Sequence, residues 1–92
     1  MGNYFKAGPG NNAEQIKVTA SGGKGTIMGN FFAPANNTVN WVKYSNAGAA
    51  AGRVCIGNSG TLPTGALVAN SAGTELEPTN DANTYVQGNR GF

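Results

Sequence analysis

Ninety-two residues, a formal net charge of +2, one cysteine and no histidine bound what this chain can be. One thiol closes no internal disulfide, and without histidine neither a Cys/His metal site nor a Ser-His-Asp triad can form within one copy. The basic residues are scattered at Lys6, Lys17, Lys24, Lys43, Arg53 and Arg90, so no basic stripe marks a nucleic-acid surface.

Only 11% of the residues are charged, against about a quarter in an ordinary domain. Asn, Thr, Ser and Gly carry the polarity instead, and these residues favour turns and strands over helices. One domain this small buries only roughly two-thirds of its extended-chain surface, so its core needs a supplement. With disulfides and metals excluded, self-association is the supplement that remains, and low charge lets like copies pack without repulsion. No apolar run approaches the roughly 20 residues that cross a bilayer. Polar residues follow Met1, so no secretory leader is expected. Gly2 fails the myristoylation pattern, which wants Ser or Thr where Lys6 stands. A free Cys55 agrees with synthesis in a reducing host cytoplasm.

In chain order, residues 1–14 read as an arm. Tyr4 and Phe5 precede the breaker Gly8-Pro9-Gly10-Asn11-Asn12, and such an arm docks on its own domain or on a neighbouring copy. Residues 15–92 read as the β-domain. Ile16 and Val18 alternate with Lys17 and Thr19 in a half-buried strand. Residues 21–25 turn, and 26–32 form the next strand, with Gly29 as a bulge and Pro34 as its stop. The centre is read as a hairpin over 38–57. Its arms are Thr38–Tyr44 and Arg53–Gly57, with a connector of Ser, Asn, Ala and Gly. Alternation puts Val42 and Tyr44 on one face and Val39, Trp41 and Lys43 on the other. Val42, Val54 and Ile56 are therefore core, and Trp41 is core edge or subunit interface. Short strands follow at 66–69, 74–77 and 83–87, with turns between them and a tail at 88–92. Strand and turn repeating at roughly ten-residue intervals, without helical period, indicates an all-β fold. The expected form is a small antiparallel sandwich or barrel of about 6–8 strands with an extended N-terminal arm.

Candidate sites reduce to turn chemistry. Residues 21–26 lack the first Gly of a phosphate loop and have Gly25 where Ser or Thr must follow Lys24. Residues 8–13 match a loose dinucleotide pattern without its strand and helix. Glu75 and Glu77 point the same way from one strand, roughly 7 Å apart, without a cleft; they read as a solvated face or as partners of Arg53 or Arg90 across subunits. Asn80-Asp81-Ala82-Asn83 is an Asx turn rather than a calcium loop. Asn36-Asn37-Thr38 has the form of a glycosylation acceptor but, with no leader, is not expected to be used. Cys55, with no histidine to activate it, is an inert strand residue. No catalytic residue, cofactor or metal is expected, and no nucleic-acid or membrane partner.

The stretch from Asn40 through Val86 resembles a pattern seen in small bacteriophage virion proteins, such as capsid decoration proteins and head-fibre or tail accessory modules. It consists of Val42-Lys43-Tyr44-Ser45-Asn46, an Ala/Gly connector, the strand Gly52 to Gly57, a Gly/Pro loop at 58–65, Glu75-Leu76-Glu77-Pro78, and Tyr85-Val86. The resemblance implies a virion protein, commonly trimeric, that binds the major capsid protein or other virion proteins at the outer capsid. Tyr4, Phe5, Phe31, Phe32, Trp41, Arg53 and Arg90 are the interface and docking candidates, since aromatic and Arg side chains dominate such contacts. The alternative is a carbohydrate- or cell-surface-binding module of a fibre or tail, with an exposed Trp41 or Tyr85 as the sugar platform.

Overall fold

The computed structural model describes residues 3–6, 14–19, 25–34, 38–45 and 52–92. The regular elements among them are all strands. They are β1 (Tyr4–Lys6), β2 (Glu14–Val18), β3 (Gly25–Met28), β4 (Phe31–Ala33), β5 (Asn40–Tyr44), β6 (Arg53–Ile56), β7 (Ser59–Gly60), β8 (Val68–Ala69), β9 (Thr79–Asn80), β10 (Thr84–Gln87) and β11 (Arg90–Gly91). The all-β expectation is correct.

The connectivity differs from the one expected. Three sheets form, ordered β1-β4-β7-β11, β2-β5-β8 and β3-β6-β10-β9. The chain visits the three sheets in turn and then returns to the first. Each circuit lays its strands parallel beside those of the previous circuit. Among the described residues the one antiparallel strand pair is β9 with β10. The molecule is a three-sided parallel β-coil rather than an antiparallel sandwich or barrel. The expected hairpin is absent: β5 and β6 lie in different sheets. Of the two placements expected for the aromatic arm, Tyr4–Lys6 takes the first: β1 pairs with β4 of its own chain. Turn residues and strand spacing look alike whether the next strand folds back beside the last or turns into another sheet, which is why periodicity read the elements and missed their pairing.

A repeat in the sequence marks the coil. Of the five Gly-Asn pairs in the sequence, those at 29–30, 57–58 and 88–89 each stand between the third strand of one circuit and the first of the next, and Gly2-Asn3 directly precedes β1. The glycines take left-handed conformations, with φ of 67°, 63° and 70° at Gly29, Gly57 and Gly88, which a Cβ would strain. Thr26–Phe32 is accordingly two strands joined at this corner, not one bulged strand.

The asparagines stack into a ladder. The Asn30 N–H and Nδ2 both donate to Asn58 Oδ1, at 2.9 and 3.1 Å. Asn58 repeats this on Asn89 Oδ1, at 3.0 and 2.8 Å. The Asn3 N–H donates to Asn30 Oδ1 at 3.0 Å. The amides also tie sheet to sheet: Asn58 Nδ2 donates to the Ile27 carbonyl and Asn89 Nδ2 to the Cys55 carbonyl. Asn30, Asn58 and Asn89 are all buried. Burial is tolerable because donors and acceptors find partners within the ladder.

Columns of apolar side chains fill the interior. Ile16, Val42 and Val68 stack in register on one side, and Ile27, Cys55 and Val86 on another. Trp41 breaks the expected alternation. The N–H groups of Trp41 and Val42 both donate to the Leu67 carbonyl, at 3.0 and 3.2 Å, which is the signature of a bulge. The bulge turns both side chains inward, and both are fully buried. Trp41 stacks on Phe32 at 5.3 Å, and its Nε1–H donates to the Thr61 carbonyl at 2.8 Å. The coil comes closest to itself at Gly60, where a Cβ would lie 2.1 Å from the Phe32 carbonyl oxygen.

Removing a middle member of the ladder should cost far more than removing a surface amide. Asn58→Ala orphans the Asn30 donors and the Ile27 carbonyl, and is expected to lower unfolding free energy by about 3–4 kcal/mol in urea titration. Asn80→Ala, at an exposed position, is expected to stay within about 0.5 kcal/mol of the parent. Equal effects would mean that the ladder does not hold the fold.

Candidate assembly surface

The coil divides the predicted interface residues into two groups. Phe32 and Trp41 are fully buried and Arg53 is 8% exposed, so none of the three offers a docking surface. The Arg53 guanidinium lies 5.2 Å from the Tyr44 ring centroid. The side chain of Phe5 lies outside the described residues.

Tyr4, Phe31 and Arg90 remain on the surface. They project from one column of the first sheet, in register with Ser59. Tyr4 and Phe31 are 64% and 41% exposed, and their rings stack at 5.4 Å with planes 4° apart. Stacking turns their faces to each other, so solvent meets mainly ring edges. At the far end of this sheet the Arg90 guanidinium sits 5.4 Å from the exposed Phe92 ring. Around the Gly-Asn corner, the outward positions of the third sheet are Thr26 and Met28, Val54 and Ile56, Tyr85 and Gln87. None of these six carries a charge. The described surface beside the ladder is therefore uncharged and mostly apolar, with Thr26 and Gln87 as its polar members and Arg90 at one end.

Of the four side-chain carboxylates, Glu14 lies 3.8 Å from Lys43 Nζ, and the other three accept from backbone N–H groups. Glu75 accepts from the N–H groups of Leu67, Val68 and Glu77 at 2.8 to 3.1 Å. Glu77 accepts from the Asn89 N–H at 2.8 Å, standing where the asparagine of one more circuit would stand. Asp81 forms the expected Asx turn by accepting from Asn83 and Thr84, and these bonds hold its carboxyl below the usual range. The role of Glu77 was signalled only by the Gly-Asn repeat: a ladder with a last rung needs an acceptor beyond it.

The thiol is sealed in. Burial, with the negative charge of Glu77 nearby, pushes Cys55 up to about 12, while a contact from Asn58 Nδ2 opposes the rise. Burial also raises the Tyr44 hydroxyl. A thiol this protonated is no nucleophile near neutral pH. Among the described residues no three His, Cys, Asp or Glu side chains converge as a metal site would need.

Trp41→Ala should cost about 3–5 kcal/mol, and Trp41→Phe about 1–2 kcal/mol for the lost bond to the Thr61 carbonyl, both read by denaturant titration. A Trp41→Ala cost below about 1 kcal/mol would place this ring outside the core. Cys55 also sets an alkaline limit. Its folded pKa lies above its unfolded one, so its contribution is complete below the unfolded value near 8.5 and is lost as pH rises toward 12. Between pH 9 and 10, stability should fall more steeply in the parent than in Cys55→Ala, by up to about 1.4 kcal/mol per pH unit. Parallel curves would show that the thiol titrates freely. No family model, curated protein or solved structure matches this chain.

Proposed function

We propose that this chain is a non-enzymatic structural protein of a bacteriophage virion, decorating or cementing a capsid surface through contacts with its own copies and with the major capsid protein. One observation carries the reading: the described buried polar side chains are largely spent on building the coil. The asparagines form the ladder, Glu75 and Glu77 cap backbone amides, and the thiol is closed off. What faces outward beside the ladder is an uncharged, mostly apolar strip with the Tyr4–Phe31 stack at its margin. Such a surface suits protein contact, where aromatic side chains supply most of the energy. The sugar-binding alternative loses Trp41, which lies in the core, and keeps Tyr85, which is 41% exposed. The resemblance to decoration proteins suggests three copies about an axis; the unpaired strand edges at one end of the coil favour two.

The test is the composition of purified particles. Mass spectrometry of density-banded virions from the phage that encodes the chain should find it at a fixed stoichiometric ratio to the major capsid protein. Tyr4→Ala/Phe31→Ala should lower that ratio several-fold while leaving the soluble chain folded. A chain found only in the lysate and never in banded particles would end the proposal.

A further inference from the structure

We infer that two copies of this chain associate end to end about a two-fold axis, through the end of the coil that carries β1, β2 and β3. The inference stands on shape and hydrogen bonding, and would hold for a structural protein outside a virion as well.

The two ends are unlike. At the far end, β9 covers the outer edge of β10. Glu75 and the Leu76 N–H occupy the edge groups around β8, and Glu77 takes the Asn89 N–H. That end is closed at two of its three sides and at the ladder corner. At the near end, among the described residues, no strand lies beyond β1, β2 or β3. Their outer backbone groups form an edge ready to pair with another strand. Ile16, Val18 and Ile27 are only partly buried there, and with Thr26 and Tyr44 they line a cavity of about 260 Å³. Tyr44 is 3% exposed, yet its hydroxyl has no hydrogen-bond partner among the described residues. Asn3, the first rung, is exposed.

Shape and charge select the occupant. The molecule measures 35 × 22 × 19 Å, so its faces are on the order of 400–800 Å² in plan, near the roughly 800 Å² per partner of a stable interface. The unpaired strand edges single out the near end. Head-to-tail stacking meets the Glu75 and Glu77 cap. A two-fold contact of open end on open end avoids it and closes on itself without forming a fibre. Running β2 antiparallel to its copy about Ile16 sets Gln15 opposite Lys17 and Glu14 opposite Val18, with no like charges facing each other. The two cavities then merge into one apolar interior.

Analytical ultracentrifugation of the full chain over a wide concentration range should show a monomer–dimer equilibrium that stops at the dimer. Ile16→Lys should shift it to monomer at every concentration while the far-ultraviolet circular dichroism of the parent is kept. Amide hydrogen exchange should slow with concentration at Gln15–Val18 and Thr26–Met28 and stay unchanged at Thr84–Gln87. If Ile16→Lys unfolds the chain, this exchange map decides alone. A monomer throughout, a trimer, an open polymer, or concentration-dependent protection at Thr84–Gln87 would each overturn the inference.

Discussion

The structure depends on one corner, where Asn30, Asn58 and Asn89 hand the same hydrogen bonds from circuit to circuit. A parallel coil needs each strand to find a partner a full circuit away, which is entropically harder than closing a hairpin. The ladder offsets this with charge-free bonds that fit only one register, because slipping a circuit by one residue would put a glycine, or Phe31, Ser59 or Arg90, where an amide must stand. Glycine before each asparagine makes the corner geometrically possible, and the two-residue length of that corner is the same in every circuit. Among the described residues no other corner carries such a ladder, and the lengths between strands vary. The connection from β8 to β10 even accommodates β9 and the two capping glutamates.

Much of the local structure was legible in the sequence. The strands at Glu14–Val18, Asn40–Tyr44, Arg53–Ile56 and Thr84–Gln87 fall where β-branched and aromatic residues alternate, and the Asx turn at Asp81 is where its side chain requires it. The pairing was not legible from periodicity, because a turn into a new sheet uses the same residues as a turn back. It was written instead in the Gly-Asn repeat, which a search for self-similarity exposes. Trp41 shows a different limit. Alternation placed it opposite Val42, and a bulge, which leaves no mark in a two-residue period, brought both into the core.

The same physics separates surface from interior among the predicted interface residues. Phe32 and Trp41 have aromatic faces large enough to fill a narrow coil, and they are consumed by it. Tyr4, Phe31 and Arg90 occupy the alternate positions of the first sheet and stay outside. The coil's described buried polar groups go largely to backbone and ladder, and the proposed role in assembly draws on that.

The most direct measurement is amide hydrogen exchange, read residue by residue by nuclear magnetic resonance, at the three ladder positions. If the ladder organises the coil, the Asn58 amide should exchange as slowly as those of Trp41 and Val42, through opening of the whole domain. Exchange at Asn58 as fast as in the exposed turn Ser71–Gly73 would contradict the account at its root.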